Sequence, residues 1–335
     1  MTNKTISVII PTYNMEGYLE KCLSSLVVPD RPGRVEAIVV NDGSKDSSLA
    51  IARAFKERHP DVFRVIDKPN GNYGSCINAA LAVATGKYVK VLDADDCYDN
   101  GVFAEYVSLL DGTDADLVLN DRVNIFAGHE EHEAQAYPAG RVFDFFAEST
   151  YKAFRDVPMH CVAYRLSLVK AIGYRQTEGI FYTDNEWVFM PMAYVRTAFY
   201  FAKPLYRYLL AREGQSVDPA VQDARIGDEI RMTCSLIAAY GRIQQCPDKA
   251  KALLYMRLRD RCSWYYKNII LKRPVLDSNV LRPLDDALRD GLPELYRQVG
   301  RDTKYGIRYV SVWRRNESSC VIKMLRKVYR GFKKA

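Results

Sequence analysis

The 335-residue chain lacks the marks of several large protein classes. It holds no Cys-x-x-Cys pair. Its eight cysteines (Cys22, Cys76, Cys97, Cys161, Cys234, Cys246, Cys262 and Cys320) are scattered, which argues against a zinc site and against a disulfide scaffold. Most are expected to be small buried hydrophobes. No stretch approaches the roughly 18–20 uninterrupted apolar residues of a membrane span. The strand-like run Ile6-Ser7-Val8-Ile9-Ile10 begins almost at once. It leaves no room for the basic, apolar and cleavage regions of a signal peptide, so a cytoplasmic protein is expected. No internal repeat and no low-complexity linker interrupts the chain. A net positive charge is missing from most of it too. Of the net +7, the stretch from Arg301 onward holds eleven Lys or Arg against two acids, about +9, leaving about −2 for the rest. Basicity belongs to the tail, and nucleic-acid binding by the main body is not expected.

What is present is 48% apolar residues, enough for a sizeable core in one large or two ordinary domains. The first half alternates strand-like and helix-like segments. Strands are expected at Ile6–Ile10, ended by Pro11, and at Val35–Val40, Phe63–Asp67, Tyr88–Leu92 and Leu117–Asn120. Helices are expected at Met15–Leu26, at Ser47–Arg58 with Asp46 or Ser47 as cap, at Ser75–Thr85 ended by Gly86, and at Gly101–Leu110. This βαβ rhythm predicts an α/β domain with a mainly parallel, Rossmann-like sheet flanked by helices. From about Val217 strand signals vanish, and helical periodicity takes over in Ile226–Tyr240 and Lys249–Leu271. The expected division is 1–216 and 217–335.

The tetrapeptide Asp93-Ala94-Asp95-Asp96 directly follows the apolar run Tyr88–Leu92. Three carboxylates at the carboxyl end of a buried strand are costly unless positive charge meets them. A divalent cation carrying a phosphorylated ligand would do so, since carboxylate oxygens suit hard cations. A solvated acidic turn would have the same sequence, so the neighbouring strand ends matter. Strand one ends in Pro11-Thr12-Tyr13-Asn14 and strand two in Asn41-Asp42-Gly43-Ser44. Strand three leads into Asn70-Gly71-Asn72-Tyr73-Gly74-Ser75. In a parallel sheet these ends line one crevice. Asp42 could accept from a base N–H, Tyr13 could stack on its ring, and Gly71 and Gly74 could let backbone approach a ligand, with a helix N-terminus after Ser75 favouring negative charge. Each segment alone is also an ordinary turn sequence; four on one edge are harder to attribute to chance.

Together, Ile6–Asn14, Val39-Val40-Asn41-Asp42-Gly43-Ser44 and Asp93-Ala94-Asp95-Asp96 resemble the inverting family 2 glycosyltransferases of the GT-A fold. The resemblance is specific over about residues 5–125 and visible to about 216. It implies transfer of a sugar from a nucleotide-diphosphate donor, commonly a UDP-sugar, to a hydroxyl of a saccharide or lipid-linked acceptor in cell-surface polysaccharide assembly. It implies that Pro11, Thr12, Tyr13, Asn14, Asp42, Asn70, Gly71, Asp93, Ala94 and Arg212 bind the nucleotide-sugar. In that pattern Thr12, Tyr13 and Asp42 hold the base, Asp93 meets the ribose or sugar, and Asp95 with Asp96 coordinates Mn²⁺ or Mg²⁺. An inverting transfer needs a base for the acceptor proton. The family's Glu-Asp pair corresponds to Thr183-Asp184, so Asp184 is the expected base, with Glu186 as the neighbour that could substitute. Asp184 also suits a cap for a helix expected at Glu186–Val195. Arg207 and Arg212-Glu213-Gly214-Gln215-Ser216 resemble a loop that closes over the diphosphate, and His160 resembles the histidine that some GT-A enzymes recruit as a metal ligand.

Other classes fit less well. A sugar nucleotidyltransferase opens with a Gly-rich, basic loop after strand one, which Pro11–Asn14 is not. An EF-hand needs glycine sixth in its loop, where Tyr98 stands. A non-catalytic nucleotide-sugar-binding scaffold stays open. In the tail, Val321–Lys334 splits on a helical wheel into an apolar side (Val321, Ile322, Met324, Leu325, Val328, Tyr329, Phe332) and a basic side (Lys323, Arg326, Lys327, Arg330, Lys333, Lys334). Such a helix suits an anionic membrane surface, peripheral on the inner face of the cell membrane, or docks on the protein with its basic face in water.

Overall fold

Short apolar runs separated by amphipathic helices give, in the computed structural model of the chain, β1 (Ile6–Thr12), α1 (Leu19–Ser24), β2 (Val35–Asp42), α2 (Ser48–Arg58), β3 (Phe63–Lys68), α3 (Asn72–Val83), β4 (Tyr88–Val91), β5 (Cys97–Tyr98) and α4 (Asn100–Gly112). The strands β6 (Leu117–Phe126), β7 (His129–Glu133), β8 (Val142–Asp144), β9 (Val162–Arg165) and β10 (Thr197–Leu209) follow. The structure describes residues 4–28, 32–210, 219–272, 277–316 and 320–331. Two units emerge, Met1–Gln215 and Ser216–Ala335.

All ten strands of the first unit form one sheet, in the order β3-β2-β1-β4-β9-β6-β10-β5, with β7 on β6 and β8 on β10. β1 to β4, β6 and β10 run in one sense, and β9 lies antiparallel between β4 and β6. The α/β class and mainly parallel sheet are as expected. β2 is buried at every position because helices cover both sheet faces. On one face Ile6, Val8, Ile10, Val35, Ala37 and Val39 pack with Leu23, Phe55 and Phe103. Side chains alternate along a strand, so Ile9, Ile38 and Val40 belong to the other face.

Several boundaries differ from the expected ones. β1 continues through Pro11 to Thr12. Pairing with β4 has already ended at Ile9↔Val91, so the missing proline N–H breaks no ladder bond there. α3 starts at Asn72, not Ser75, with Gly71 before it. The expected helix Glu186–Val195 is instead a single turn, Asp184–Trp187, followed by a tight turn at Pro191–Tyr194. Pro191 cannot donate within a continuous helix. Asp184 is the first residue of that turn rather than its cap, Thr183. At α2 the cap position is Ser47, which makes no side-chain cap bond, and Asp46 Oδ1, one residue earlier, accepts from Ser48 N at 3.0 Å.

The described residues of the second unit are helices and turns. Ile226–Arg242 buries Ile226, Ile230, Thr233, Ile237 and Tyr240 at helical spacing. Asp248–Lys267 runs into a π-helical turn, Asn268–Lys272. The helix Cys320–Gly331 divides the apolar side expected of it: Ile322 and Leu325 are buried, whereas Val321, Met324 and Val328 are exposed. Arg326 Nε donates to Ile270 O at 2.6 Å and fixes this pose. Phe332, Lys333 and Lys334 lie outside the described residues. Among the described residues no helix is long and apolar enough to cross a membrane.

Candidate active site

The carboxyl ends of β1, β2, β3 and β4 converge on one edge of the sheet. At the end of β2, Gly43 takes φ +73°, where a Cβ would come within 3.1 Å of Asn70 N. That turn leaves Asp42 buried and facing the end of β3. Its Oδ1 accepts from Gly71 N at 3.0 Å and from the Lys68 ammonium, and Asn70 Nδ2 donates to its carbonyl at 2.9 Å. Asp42, Asn70 and Gly71 are therefore one unit, with Lys68 as its counter-charge. Thr12 is buried, its hydroxyl bonded to Ile10 O at 3.1 Å, while Tyr13 is exposed, its ring open to a partner. Asn14 braces the loop after β2: its Oδ1 accepts from Lys45 N at 2.8 Å and its own N–H donates to Ser44 Oγ at 3.1 Å. Gly74 does not open onto a ligand. A Cβ there would sit 2.1 Å from Thr177 O, so its bareness lets the 176–179 segment pack on α3.

The acidic cluster is built asymmetrically. Ala94 is buried, its methyl in the apolar core, and Asp93 and Asp95 are part-exposed. Asp96 is buried; its Oδ1 accepts from Leu209 N at 2.7 Å and its Oδ2 from the Tyr206 hydroxyl at 2.6 Å. Burial, together with the charges of Asp93 and Asp95, pushes Asp96 up to about 8 despite those two bonds. Asp93 Oδ1 accepts from Tyr73 OH at 2.8 Å, and Asp93 N donates to the Tyr206 oxygen at 3.2 Å.

Asp93, Asp96 and His160 bring ligand atoms within 4.8 Å of one another. Arg122 engages one ring nitrogen of the histidine. Its guanidinium lies 3.1 Å from His160 Nδ1 and can only donate, so Nδ1 accepts and the ring proton sits on Nε2. Nε2 is the atom that faces Asp93 Oδ2, at 3.5 Å. Arg122 is itself anchored on Glu133, and the rings of Tyr206 and Tyr208 flank the imidazole. A metal ligand must present a bare nitrogen, its other ring N–H donating to an acceptor. With this tautomer His160 Nε2 faces Asp93, and ligation by His160 would need the ring proton moved to Nδ1.

Across the crevice, Asp184 is part-exposed, with Asn185 Nδ2 at 3.2 Å from its Oδ1. Glu186 is buried and accepts from Thr177 N at 2.7 Å and Thr177 Oγ1 at 2.6 Å, and burial raises its pKa against the pull of those bonds. It is a strut for the loop packed on α3. Tyr73 stands between the two acidic groups: burial first, then the charges of Asp93 and Asp184, drive its hydroxyl well above the usual range. Arg207 pairs with Glu130, and Arg212 with the following Glu213–Ser216 lies outside the described residues.

The model of glycosyl transferase family 2 matches residues 7–173, the stretch that carries every strand end of this crevice and the acidic cluster. The chain belongs to glycosyl transferase family 2. It is 42% identical over 95 residues to the uncharacterized glycosyltransferase YibD of Escherichia coli, covering 28% of this chain and 27% of that protein. The chain spans about a quarter to two fifths of the length of the first curated relatives it matches. In fold it resembles S. aureus TarS 1-349, solved in complex with UDP-GlcNAc, with a TM-score of 0.71 and 19% identity over 98% of this chain and 92% of that one. It also resembles the mannosyltransferase PcManGT of Pyrobaculum calidifontis, solved with GDP-Man and Mn²⁺, with a TM-score of 0.53 and 16% identity over 97% and 84%. The architecture is that of the GT-A glycosyltransferases. Within this family 2 chain, sequence reasoning missed Lys68, Tyr73, Arg122, Tyr206 and Tyr208. A signal existed for the last two: Tyr206-Arg207-Tyr208 puts both rings on one side of a strand.

Proposed function

We propose that the chain is a metal-dependent, inverting glycosyltransferase. It moves a sugar from a UDP-sugar to a hydroxyl of a saccharide or lipid-linked acceptor in cell-surface polysaccharide assembly. The observation that carries this is the meeting of the part-exposed Asp93 and Asp95 with the buried Asp96 at the carboxyl end of β4, where burial and the two neighbouring charges disfavour the ionised form of Asp96. Such a group asks for a cation, and an all-oxygen donor set suits Mg²⁺ or Mn²⁺. Asp95 and Asp96 would hold the ion, which supplies positive charge against the charge that develops on the leaving diphosphate. Tyr13, Thr12 and the Asp42–Asn70–Gly71 unit bind the base, with Pro11 and Asn14 shaping their loop. Asp93, aimed by Tyr73 and His160, meets the ribose or the sugar, beside the backbone of Ala94, and Arg212 pairs with phosphate. Asp184 takes the acceptor's proton as the new bond forms at the anomeric carbon and the bond to the phosphate oxygen breaks on the opposite face. The UDP-GlcNAc bound to TarS and the Mn²⁺ in PcManGT support this choice of donor and ion.

The test is thermal stability against nucleotide diphosphates and nucleotide-sugars, with and without Mn²⁺. A Mn²⁺-dependent rise in Tm with UDP is expected, about 2.7 kcal/mol of stabilisation at a hundred times Kd. Asp95→Ala should abolish it. No shift with any nucleotide rejects the donor site, and a shift without turnover on any donor leaves the nucleotide-sugar-binding scaffold instead.

A membrane surface is the proposed second partner, on the inner face of the cell membrane. The terminal helix leaves Val321, Met324 and Val328 in the open beside Lys323 and Lys327, which suits shallow insertion among anionic headgroups. All three apolar residues are exposed, so changing them should spare the fold. In sedimentation with phosphatidylglycerol-containing vesicles, Met324→Glu with Val328→Glu is expected to lose most of the bound fraction. Equal binding by the double variant would end the proposal.

A further inference from the structure

The second unit holds a cavity of about 420 Å³ lined by Asp260, Ser263, Trp264 and Lys267 of the helix Asp248–Lys267 and by Asp302 and Lys304 beyond it. That size falls in the usual range of small-ligand sites, roughly 300–1,000 Å³. Of the three tryptophans, Trp187 and Trp313 are 0% exposed, whereas Trp264 is 44% exposed. Its own helix has an apolar face, holding Leu258, Cys262, Tyr265 and Tyr266, on which an indole could have been buried. The exposed ring packs against its own helix. It meets Tyr265 edge-on at 5.1 Å and 83°, and its backbone oxygen accepts from Asn268 Nδ2 at 2.7 Å.

The opposite rim is fixed. Lys304 and Ile307 exchange backbone bonds of 2.9 and 3.1 Å around Tyr305 and Gly306, at φ 51° and 74°, a tight two-residue turn. The Lys304 ammonium lies 4.8 Å over the Tyr305 ring. Asp302 Oδ2 accepts from Ser263 Oγ at 2.6 Å, which ties this rim to the helix.

The lining mixes two carboxylates, both facing the Arg259 guanidinium, with two ammonium groups, so acceptors and donors stand side by side. Carboxylates only accept and ammonium groups only donate, while a hydroxyl does both. An exposed aromatic face ringed by both kinds of group matches a pyranose, apolar across its C–H face and hydroxylated at its edge. We propose that this cavity is a saccharide-binding site that holds one ring of an oligosaccharide against the face of Trp264. The proposal deepens the reading above and rests on its saccharide acceptor, for which this unit supplies a holding site. A nucleotide would stack equally well, but the carboxylates of Asp260 and Asp302 beside the ring oppose its phosphates.

With the other two indoles buried, iodide-accessible fluorescence of the full chain reports Trp264. Maltotriose and N,N′,N″-triacetylchitotriose are the probes. At least one is expected to protect that emission from iodide, with half-saturation on the order of 1 mM. Saturation-transfer NMR with the same sugar should lose its signal in Trp264→Ala. The variant Trp264→Phe, which keeps a stacking face, should retain binding within about tenfold, a free-energy change of at most about 1.4 kcal/mol. It covers the case of an alanine variant that fails to fold. No saturable protection by either sugar overturns the assignment, as does an undiminished NMR signal in a folded Trp264→Ala. Protection by UDP but by neither sugar overturns it in favour of a nucleotide. The assay needs neither metal, donor nor turnover. A chain that binds oligosaccharide but shows no UDP shift therefore rejects the donor reading alone, and the reverse result rejects only this one.

Discussion

Asp184→Asn should lower sugar transfer by roughly a hundred- to ten-thousand-fold, the usual contribution of a positioned general base, while leaving the UDP-induced rise in Tm intact. Two carboxylates compete for the role, and their surroundings separate them. Glu186 is 5% exposed and both its oxygens are engaged by Thr177. A base must reach an acceptor hydroxyl, and a carboxylate shut behind its own loop reaches none. Asp184 is part-exposed, and its charge is felt by Tyr73, whose hydroxyl bonds Asp93. Glu186→Gln should therefore behave as a structural change. The amide still accepts from Thr177 N and can donate to Thr177 Oγ1, so both bonds persist without charge assistance, at about 1 kcal/mol of stability, and transfer measured well below Tm stays within a few-fold of wild type. The paired kinetic and melting measurements decide. Full activity in Asp184→Asn together with a dead but folded Glu186→Gln would transfer the role to Glu186.

How much of this was legible follows from where each signal is carried. β1, β2 and β4 are mainly apolar runs and β3 has an apolar centre, and β1, β2 and β3 pair in chain order before β4 joins the other side of β1, so local pattern and parallel topology largely coincide. β9 and β10 escaped. β9 has four residues and lies antiparallel between β4 and β6. β10 contains Lys203-Pro204, with register shifts on either side of Pro204, and a proline ordinarily argues against an inner strand. Missing β10 meant missing Tyr206, which bonds Asp96 and the Asp93 backbone from 110 and 113 residues away. Acidic and glycine-bearing strand ends advertise themselves because their function requires those residue types. Their supports, Lys68, Tyr73 and Arg122, are ordinary residues whose role depends on the register that brings them near. The same reason explains Gly74: sequence marks it as a position where something approaches closely, and only the fold tells that the neighbour is Thr177 backbone rather than a ligand.

Asp96→Asn should raise the stability of the metal-free protein at pH 8 and abolish pH-dependent Mn²⁺ binding. The carboxyl is raised in the folded state from 3.8 to about 8. Between those values the folded protein keeps a proton that the unfolded chain has released. The unfolded state then binds fewer protons, so this group's contribution to stability falls as pH rises, and the penalty is complete above about 8. Lys90 works in the opposite sense. Fully buried, with Nζ 2.8 Å from Asn120 Oδ1 and 2.7 Å from His160 O, it is lowered from 10.5 to about 7, so it adds stability as pH rises from about 7. The difference between wild type and Asp96→Asn removes the lysine and isolates the carboxyl. That difference should be small near pH 4 and grow by about 1.4 kcal/mol per pH unit, to roughly 5 kcal/mol in favour of the variant by pH 8. Metal reverses the order. A cation requires the ionised form, so between pH 6 and 8 the apparent Mn²⁺ affinity of wild type should climb by about tenfold per pH unit. The asparagine variant should bind weakly and with no such slope. Denaturant melts across that range, with and without Mn²⁺, measure both effects. Wild type and variant with parallel stability profiles would mean that Asp96 is ionised without a cation, and the argument for a metal at this strand end would lose its support.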